Sequence, residues 1–229
     1  MSDVVCFANR DFGARVARDL VQRRGIQLVA VVTNDPPHVD LDLVEATLGV
    51  PVLTWRQYLS VAGSAVFAMR GVSALFRHRI PAWVLSTFAE GVVNLHPSML
   101  PFGRGSYPAT WAIWERTPFG ATAHIMDRGI DTGPILMQRR VRLTDSDTSF
   151  ALYEKGLAAL WGIYEEGVLP WLRGEAMMLR EQAEGGSSHS ISDYRMLADL
   201  DPSLMSDEAR SRWLRAIQIK PSNDSGRKW

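Results

Sequence analysis

Asn94 and His96 stand two residues apart, and Asp131 follows on a later, glycine-bearing turn, D-R-G-I-D-T-G. On a β-strand, residues i and i+2 point to the same side, so this amide and this imidazole can face one ligand. Pro97 then ends the ladder, because it has no N–H to donate. An amide, an imidazole and a carboxylate at strand ends are the parts needed to move an acyl group onto an amine. The amide donates a hydrogen bond to a developing oxyanion. The imidazole handles protons near neutral pH, and the carboxylate sets its protonation state. A lone Asn-x-His could equally cap a strand and satisfy a turn. The flanking H-P-S-M-L-P-F-G-R-G and D-R-G-I-D-T-G-P argue against that reading, since their prolines and glycines fix the backbone on both sides of one cleft.

Two other chemistries are excluded. Ser98 lies near His96, but no G-x-S-x-G elbow surrounds it to expose a nucleophile. Cys6 is the sole cysteine, and the histidines are scattered, so no metal-binding spacing is present. Cys6 sits in an apolar run and reads as a small buried hydrophobe.

Elements that could position these groups follow a βαβ rhythm. Val4–Ala8, Leu28–Thr33, Val50–Leu53, Val72–Phe76 and Val92–Leu95 read as short buried strands. Helices are expected at Asp11–Arg24, Val39–Leu48 and Ala82–Phe88, ended by Gly25 and Gly49 in the first two cases. That alternation predicts an α/β fold with an open, mainly parallel sheet. Thr122–Met126 and Ile135–Val141, joined by the glycine-bearing turn, read as an antiparallel pair on one side of it. Ser149–Leu172 reads as a long helix, 181–190 (with G-G-S-S-H-S) as a flexible connection, and 191–217 as a small helical extension ahead of a loose tail. The expected organisation is a catalytic domain over 1–180 and a C-terminal extension over 181–229.

The 229 residues suit one large domain, or a domain with an appendage. Lys plus Arg equals Asp plus Glu at 25 each, which removes any bulk attraction to nucleic acid or acidic membranes. No basic leader with a long apolar run opens the chain, and no stretch approaches a bilayer span, so a cytoplasmic protein is expected. The first strand ends in F-A-N-R-D-F-G, with only Gly13 where a dinucleotide site would want G-x-G-x-x-G.

N-L-H-P-S-M-L-P-F-G-R-G followed by G-I-D-T-G-P-I resembles the formyltransferases that use 10-formyltetrahydrofolate. The resemblance runs from about Val4 to Val141 and is strongest from Asn94 to Gln138. It implies a Rossmann-like catalytic domain and an Asn-His-Asp triad, which maps onto Asn94, His96 and Asp131 without substitution. It also implies attack of a substrate amine on the formyl carbon, with Asn94 and His96 on the oxyanion and Asp131 holding His96. The implied folate site places Arg77, His78, Arg79, Val84 and Leu85 on one wall and Asp127 to Asp131, with Gly129, on the other. Asn9 and Arg10 are implied acceptor-side contacts; the alternative is an ordinary loop with Asp11 as an N-cap. His124 alternates with Thr122 and Met126 on one strand face, and reads as a packed or supporting histidine.

The R-G-S-Y-P segment resembles the methionyl-tRNA and sugar-nucleotide branches of that family more than the phosphoribosylglycinamide branch. A methionyl-tRNA enzyme would carry a basic C-terminal β-barrel of roughly 100 residues; here fewer remain after the long helix, and they read as helical. S-H-S-I-S-D-Y-R-M-L-A-D-L-D-P-S and R-W-L-R-A resemble the tail of sugar N-formyltransferases. The expectation is therefore formyl transfer from 10-formyltetrahydrofolate to a nucleotide-linked amino sugar. Formylation of another small amine, such as a glycinamide ribonucleotide, is the alternative, and a non-catalytic folate- or nucleotide-binding module is the alternative of a different class. Arg10 and Arg104 are the expected phosphate contacts, with Phe102, Tyr107 and Trp111 lining the acceptor side; Trp111 and Trp114 share a helix face that could instead be core. The expected partner is a small molecule, with no nucleic acid and no membrane; a homodimer is left open.

Overall fold

The computed structural model describes residues 1–34, 49–63 and 68–219. Seven strands form one sheet in the order β3-β2-β1-β4-β5-β7-β8. These are β1 (Ser2–Ala8), β2 (Ile26–Thr33), β3 (Val52–Thr54), β4 (Arg70–Ala74), β5 (Val92–His96), β7 (Phe119–Ile125) and β8 (Ile135–Val141). The first five pair in parallel, and β7 and β8 add to β5 as an antiparallel pair. The expected α/β sheet with an antiparallel pair on one side is the one observed.

β1 shows why the parallel strands carry unbroken apolar runs. Val4, Cys6 and Ala8 pack into one cluster with the helices Arg10–Val21 and Ser149–Ile163, while Val5 and Phe7 pack into another with Trp55, Tyr58 and Val84. Side chains of alternate direction thus enter different layers, and both faces of the sheet are dry. Cys6 has no exposed surface, and burial pushes its thiol up to about 12. Cys6 is therefore expected to resist a thiol reagent at about pH 8 in the folded protein and to react only after denaturation; stoichiometric labelling of native protein would contradict this.

Several boundaries differ from the expected ones. β4 ends at Ala74 rather than Phe76, where Leu75 turns into the left-handed region at φ 58. The helix after Pro81 spans only Ala82–Leu85. A helix absent from the sequence reading, Trp55–Val61, is held by a capping box between Thr54 and Gln57, so T-W-R-Q was its signal. The long run from Ser149 continues to Leu172 through a π-helical segment at Tyr164–Val168. The register change sits just ahead of Pro170, which has no N–H for the α ladder. The expected helix at Val39–Leu48 and the loose tail lie outside the described residues. Among the described residues, no helix is long and apolar enough to cross a membrane.

The expected flexible connection at 181–190 is not what the structure shows. Ser188–His189 forms a strand, β9, that pairs in parallel with β6 (Arg104–Gly105). Gly185 and Gly186 have positive φ and turn the chain onto the loop after β5. Helices Ile191–Ala198 and Asp207–Ile217 follow, and Leu197 and Trp213 pack with Trp111. Local composition signals flexibility here, whereas the partners that order the segment are some 80 residues away in sequence.

Candidate active site

β5 presents Asn94 and His96 on one side of its carboxyl end, and β7 brings His124 directly opposite Asn94. The β7–β8 register shifts between Ala123 and His124, a bulge that re-aims the strand beside the site. The turn after β7 then returns Asp131, in the left-handed conformation at φ 53, to the same point. Gly133 is required there, because a Cβ would collide with the Ile125 carbonyl oxygen.

Asn94 Nδ2 donates to Asp131 Oδ1 at 3.2 Å and lies 3.2 Å from His124 Nε2. The backbone N–H of Gly105 donates to Asp131 Oδ2 at 2.8 Å. His124 Nδ1 faces the Ile125 carbonyl at 3.1 Å, which favours a proton on Nδ1 and leaves Nε2 to accept from Asn94. Both hydrogens of the Asn94 amide are then engaged. One must be exchanged when an oxyanion develops nearby.

Asp131 was expected to hold His96. Its Oδ2 is instead 3.7 Å from His96 Nε2, while the Gly103 carbonyl accepts from that nitrogen at 2.8 Å. The loop 103–105 therefore orients the imidazole, and Asp131 orients Asn94 directly. Burial opposes ionisation of Asp131, but His96, His124 and the Gly105 N–H outweigh it and hold the carboxyl well below the usual carboxylate range. His124, only 2% exposed, is an integral member of this cluster. Its alternation on β7 was visible in the sequence; its pairing opposite Asn94 was not.

The residues expected at the folate site divide. Arg79 Nη2 donates to the Arg128 carbonyl at 2.6 Å, so the 77–80 segment and the 127–131 turn do stand side by side. Asp127 accepts from the Gly129 N–H and the Thr132 hydroxyl, which shapes the turn. The Arg77 N–H points to Asn34 Oδ1, and His78 stacks on Trp55 with ring centroids 5.7 Å apart. Leu85 and Met126 are half-buried against the same core cluster. Val84 has no exposed surface and belongs to the core, so it is not a wall of a binding site. The four-residue helix turns Val84 inward and leaves Leu85 beside it.

On the acceptor side, Arg10 opens the helix after β1 and reaches the Tyr153 hydroxyl. Tyr107 stacks on Tyr194 at 4.1 Å, and Arg77, Arg10 and Arg195 lie close enough to oppose the upward push of burial on its phenol. Arg195 was missed because it comes from the C-terminal extension. Phe102 is half-buried on the loop after β5. Arg104 turns to Gln182 Oε1 at 2.7 Å instead of open space, and Gln182 Nε2 donates to the carbonyls of Asp131 and Gly133. Trp111 is 6% exposed and covered by His189 at 3.7 Å, so it is core. Asn9, not Asp11, precedes the helix, and its side chain donates to the Leu75 carbonyl at 3.1 Å. Among the described residues, no group of three His, Cys, Asp or Glu could hold a metal ion.

Residues 63–164 match the formyl transferase family. A methionyl-tRNA formyltransferase of Myxococcus xanthus is 40% identical over 108 residues, covering 46% of this chain and 34% of that protein. A GDP-perosamine N-formyltransferase of Brucella melitensis is 36% identical over 105 residues, covering 45% and 40% respectively. This chain thus matches less than half the length of either relative. A crystal structure of an N-formyltransferase from Helicobacter canadensis, in complex with folinic acid and dTDP-3-aminofucose, superposes with a TM-score of 0.75. It is 18% identical and covers 95% of this chain and 80% of that one, which supports the shared fold. Asn94, His96 and Asp131 all lie inside residues 63–164, the segment of this chain that matches the formyl transferase family.

Proposed function

We propose that this protein transfers a formyl group from 10-formyltetrahydrofolate to the amine of a nucleotide-linked amino sugar. The observation that carries the reading is the cluster of half-buried Asn94 and Asp131 with buried His96 and His124 at the carboxyl end of β5, where open α/β sheets place their ligands. The reduced folate would supply a formyl carbon attached to nitrogen, activated for attack by an amine. The segments around Arg79 and Arg128, which stand side by side, would hold the heterocycle, with Leu85 and Met126 as apolar contacts.

Asn94 presents an amide hydrogen to the oxygen that gains charge as the amine attacks. His96, fixed through Nε2 by the Gly103 carbonyl, adds a second polar group from the same strand. Asp131, kept ionised, holds the Asn94 amide through Oδ1. The amine must be neutral to attack, so the rate should rise with pH until the amine is fully deprotonated.

Arg10, Arg77 and Arg195 around Tyr107 favour a substrate bearing phosphates, whose remote binding energy can position a weakly nucleophilic amine. Among relatives, the GDP-perosamine enzyme supports the sugar-nucleotide reading; the methionyl-tRNA formyltransferase match supports an aminoacyl-tRNA acceptor. A turnover panel separates them: GDP-, UDP- and dTDP-linked amino sugars, a free amino sugar, glycinamide ribonucleotide and methionyl-tRNA. Turnover of one nucleotide-linked sugar, with the free sugar losing most of the rate, is expected. Preference for the tRNA or the ribonucleotide would overturn the assignment of acceptor.

Donor binding has its own test. Saturating 5-formyltetrahydrofolate should raise the melting temperature by mass action. Leu85→Glu should reduce that shift, measured against the variant's own ligand-free melting temperature, by placing a charge against the heterocycle. An undiminished shift in the variant would remove the folate from this wall. Val84→Glu would not serve, since it would strike the core.

A further inference from the structure

Away from the catalytic cluster lies a cleft of about 980 Å³, lined where β7 begins, where β8 ends and along helix Asp207–Ile217. Phe119 pairs with Val141 at this end of the hairpin, and His124 with Ile135 at the catalytic end, five residues away along β7. At the rise of a strand, that separation is roughly 17 Å.

Five arginines enter this cleft: Arg116, Arg140, Arg142, Arg212 and Arg215. Only Glu208 and Asp145 oppose them there, in a chain whose formal net charge is zero. Glu208 is shared, pairing with Arg116 and lying 3.8 Å from Arg212. Arg215 donates to the Asp147 carbonyl, and among the described residues Arg140 and Arg142 have no ion-pair partner. Arg212 Nε is buried and has no hydrogen-bond partner among the described residues. Burial together with the charges of Arg116 and Arg215 moves the Arg212 guanidinium below its ordinary value. Gathering like charges around a buried unsatisfied donor costs free energy that an anion would offset. Pro118, Val141 and Leu143, beside the buried Phe119, give the cleft an apolar portion of its lining, alongside Thr117, Thr144 and Ser211.

We propose that this cleft is a second binding site, distinct from the catalytic one, for a diphosphate joined to an apolar ring system, the chemistry of a nucleoside diphosphate. Guanidinium groups suit the phosphate oxygens, and the apolar part of the lining suits the base. The volume is that of a small-molecule site. The proposal stands on the cleft alone and does not depend on the formyl-transfer reading.

Calorimetry with inorganic pyrophosphate, ADP and adenosine tests it. Both phosphates should bind, ADP more tightly, and adenosine should give no heat; binding should weaken with added salt. Arg142→Glu combined with Arg212→Gln should weaken binding by about tenfold or more, about 1.4 kcal/mol, with formyl transfer unchanged. Arg142 is exposed, so Arg142→Glu alone keeps the test valid if Arg212→Gln perturbs the helix. Arg10→Ala, near the catalytic cleft, should leave this component intact. Tighter binding of pyrophosphate than ADP would reduce the site to a free-phosphate site and overturn the nucleotide assignment. Absence of heat at millimolar ligand, an unchanged isotherm in Arg142→Glu, or loss of the component in Arg10→Ala would overturn the site itself.

Discussion

Asp131→Asn is expected to lower kcat/KM for formyl transfer by about 10³-fold or more, and His96→Asn by a similar factor, with the double variant little worse than either single one. The hydrogen-bond inventory gives the reason. Asp131 accepts from Asn94 Nδ2 through one oxygen and from the Gly105 N–H through the other. An asparagine at 131 has one acceptor oxygen and one amide nitrogen, so one of these two donors would lose its partner. The Gly105 contact also belongs to the loop that carries the Gly103 carbonyl, the group that orients His96. Disturbing either residue disturbs the same arrangement, which is why the losses should not add. Steady-state kinetics on the two single variants and the double one is the measurement, with a circular dichroism melt to verify folding. Near-normal turnover in either single variant would remove that residue from the machinery.

The same carboxylate has a pH signature in stability. Its folded-state pKa is depressed, so its ionised form contributes stability that is fully present above its unfolded value of about 4. That contribution is lost as pH falls toward the folded value. Asp131→Asn should therefore flatten part of the acid limb of a urea-midpoint profile, with its effect largest above about pH 4 and fading below it.

Trp111→Ala is expected to cost about 3–5 kcal/mol of stability and to lower kcat as well. The indole is 6% exposed, stacks on His189 and packs with Leu197 and Trp213. Removing it leaves a cavity between the helix Pro108–Glu115 and the C-terminal helices. His189 belongs to β9, which pairs with β6, and β6 contains the Gly105 that donates to Asp131. Loosening β9 should thus reach the Asp131 carboxylate through backbone contacts. Trp111→Phe should restore most of the stability and the rate. Denaturant melts and kinetics on both variants decide the matter; a raised KM with unchanged stability would instead make Trp111 a substrate contact.

What the sequence determined by itself was the frame and which polar side chains could meet at one strand end. Unbroken β-branched runs at β1 and β2 required strands buried on both faces, and N-x-H before a proline placed an amide and an imidazole on one side of a strand end. The loop D-R-G-I-D-T-G could be read as the return of a carboxylate, because its glycines mark a sharp turn. Only the tertiary structure decided which groups hold which. His124 joins the site through pairing across β5 and β7, and a pattern within one strand cannot reveal its neighbour. Arg104 and Trp111 looked like ligand contacts because an exposed cation and an aromatic read alike in sequence, yet Gln182 and His189 occupy them. Residues 181–190 looked flexible because glycine and serine carry no apolar pattern. Their order comes from hydrogen bonds to main-chain groups of the 101–105 and 131–133 segments, and backbone carbonyls and N–H groups are present at every position, so no residue code announces them.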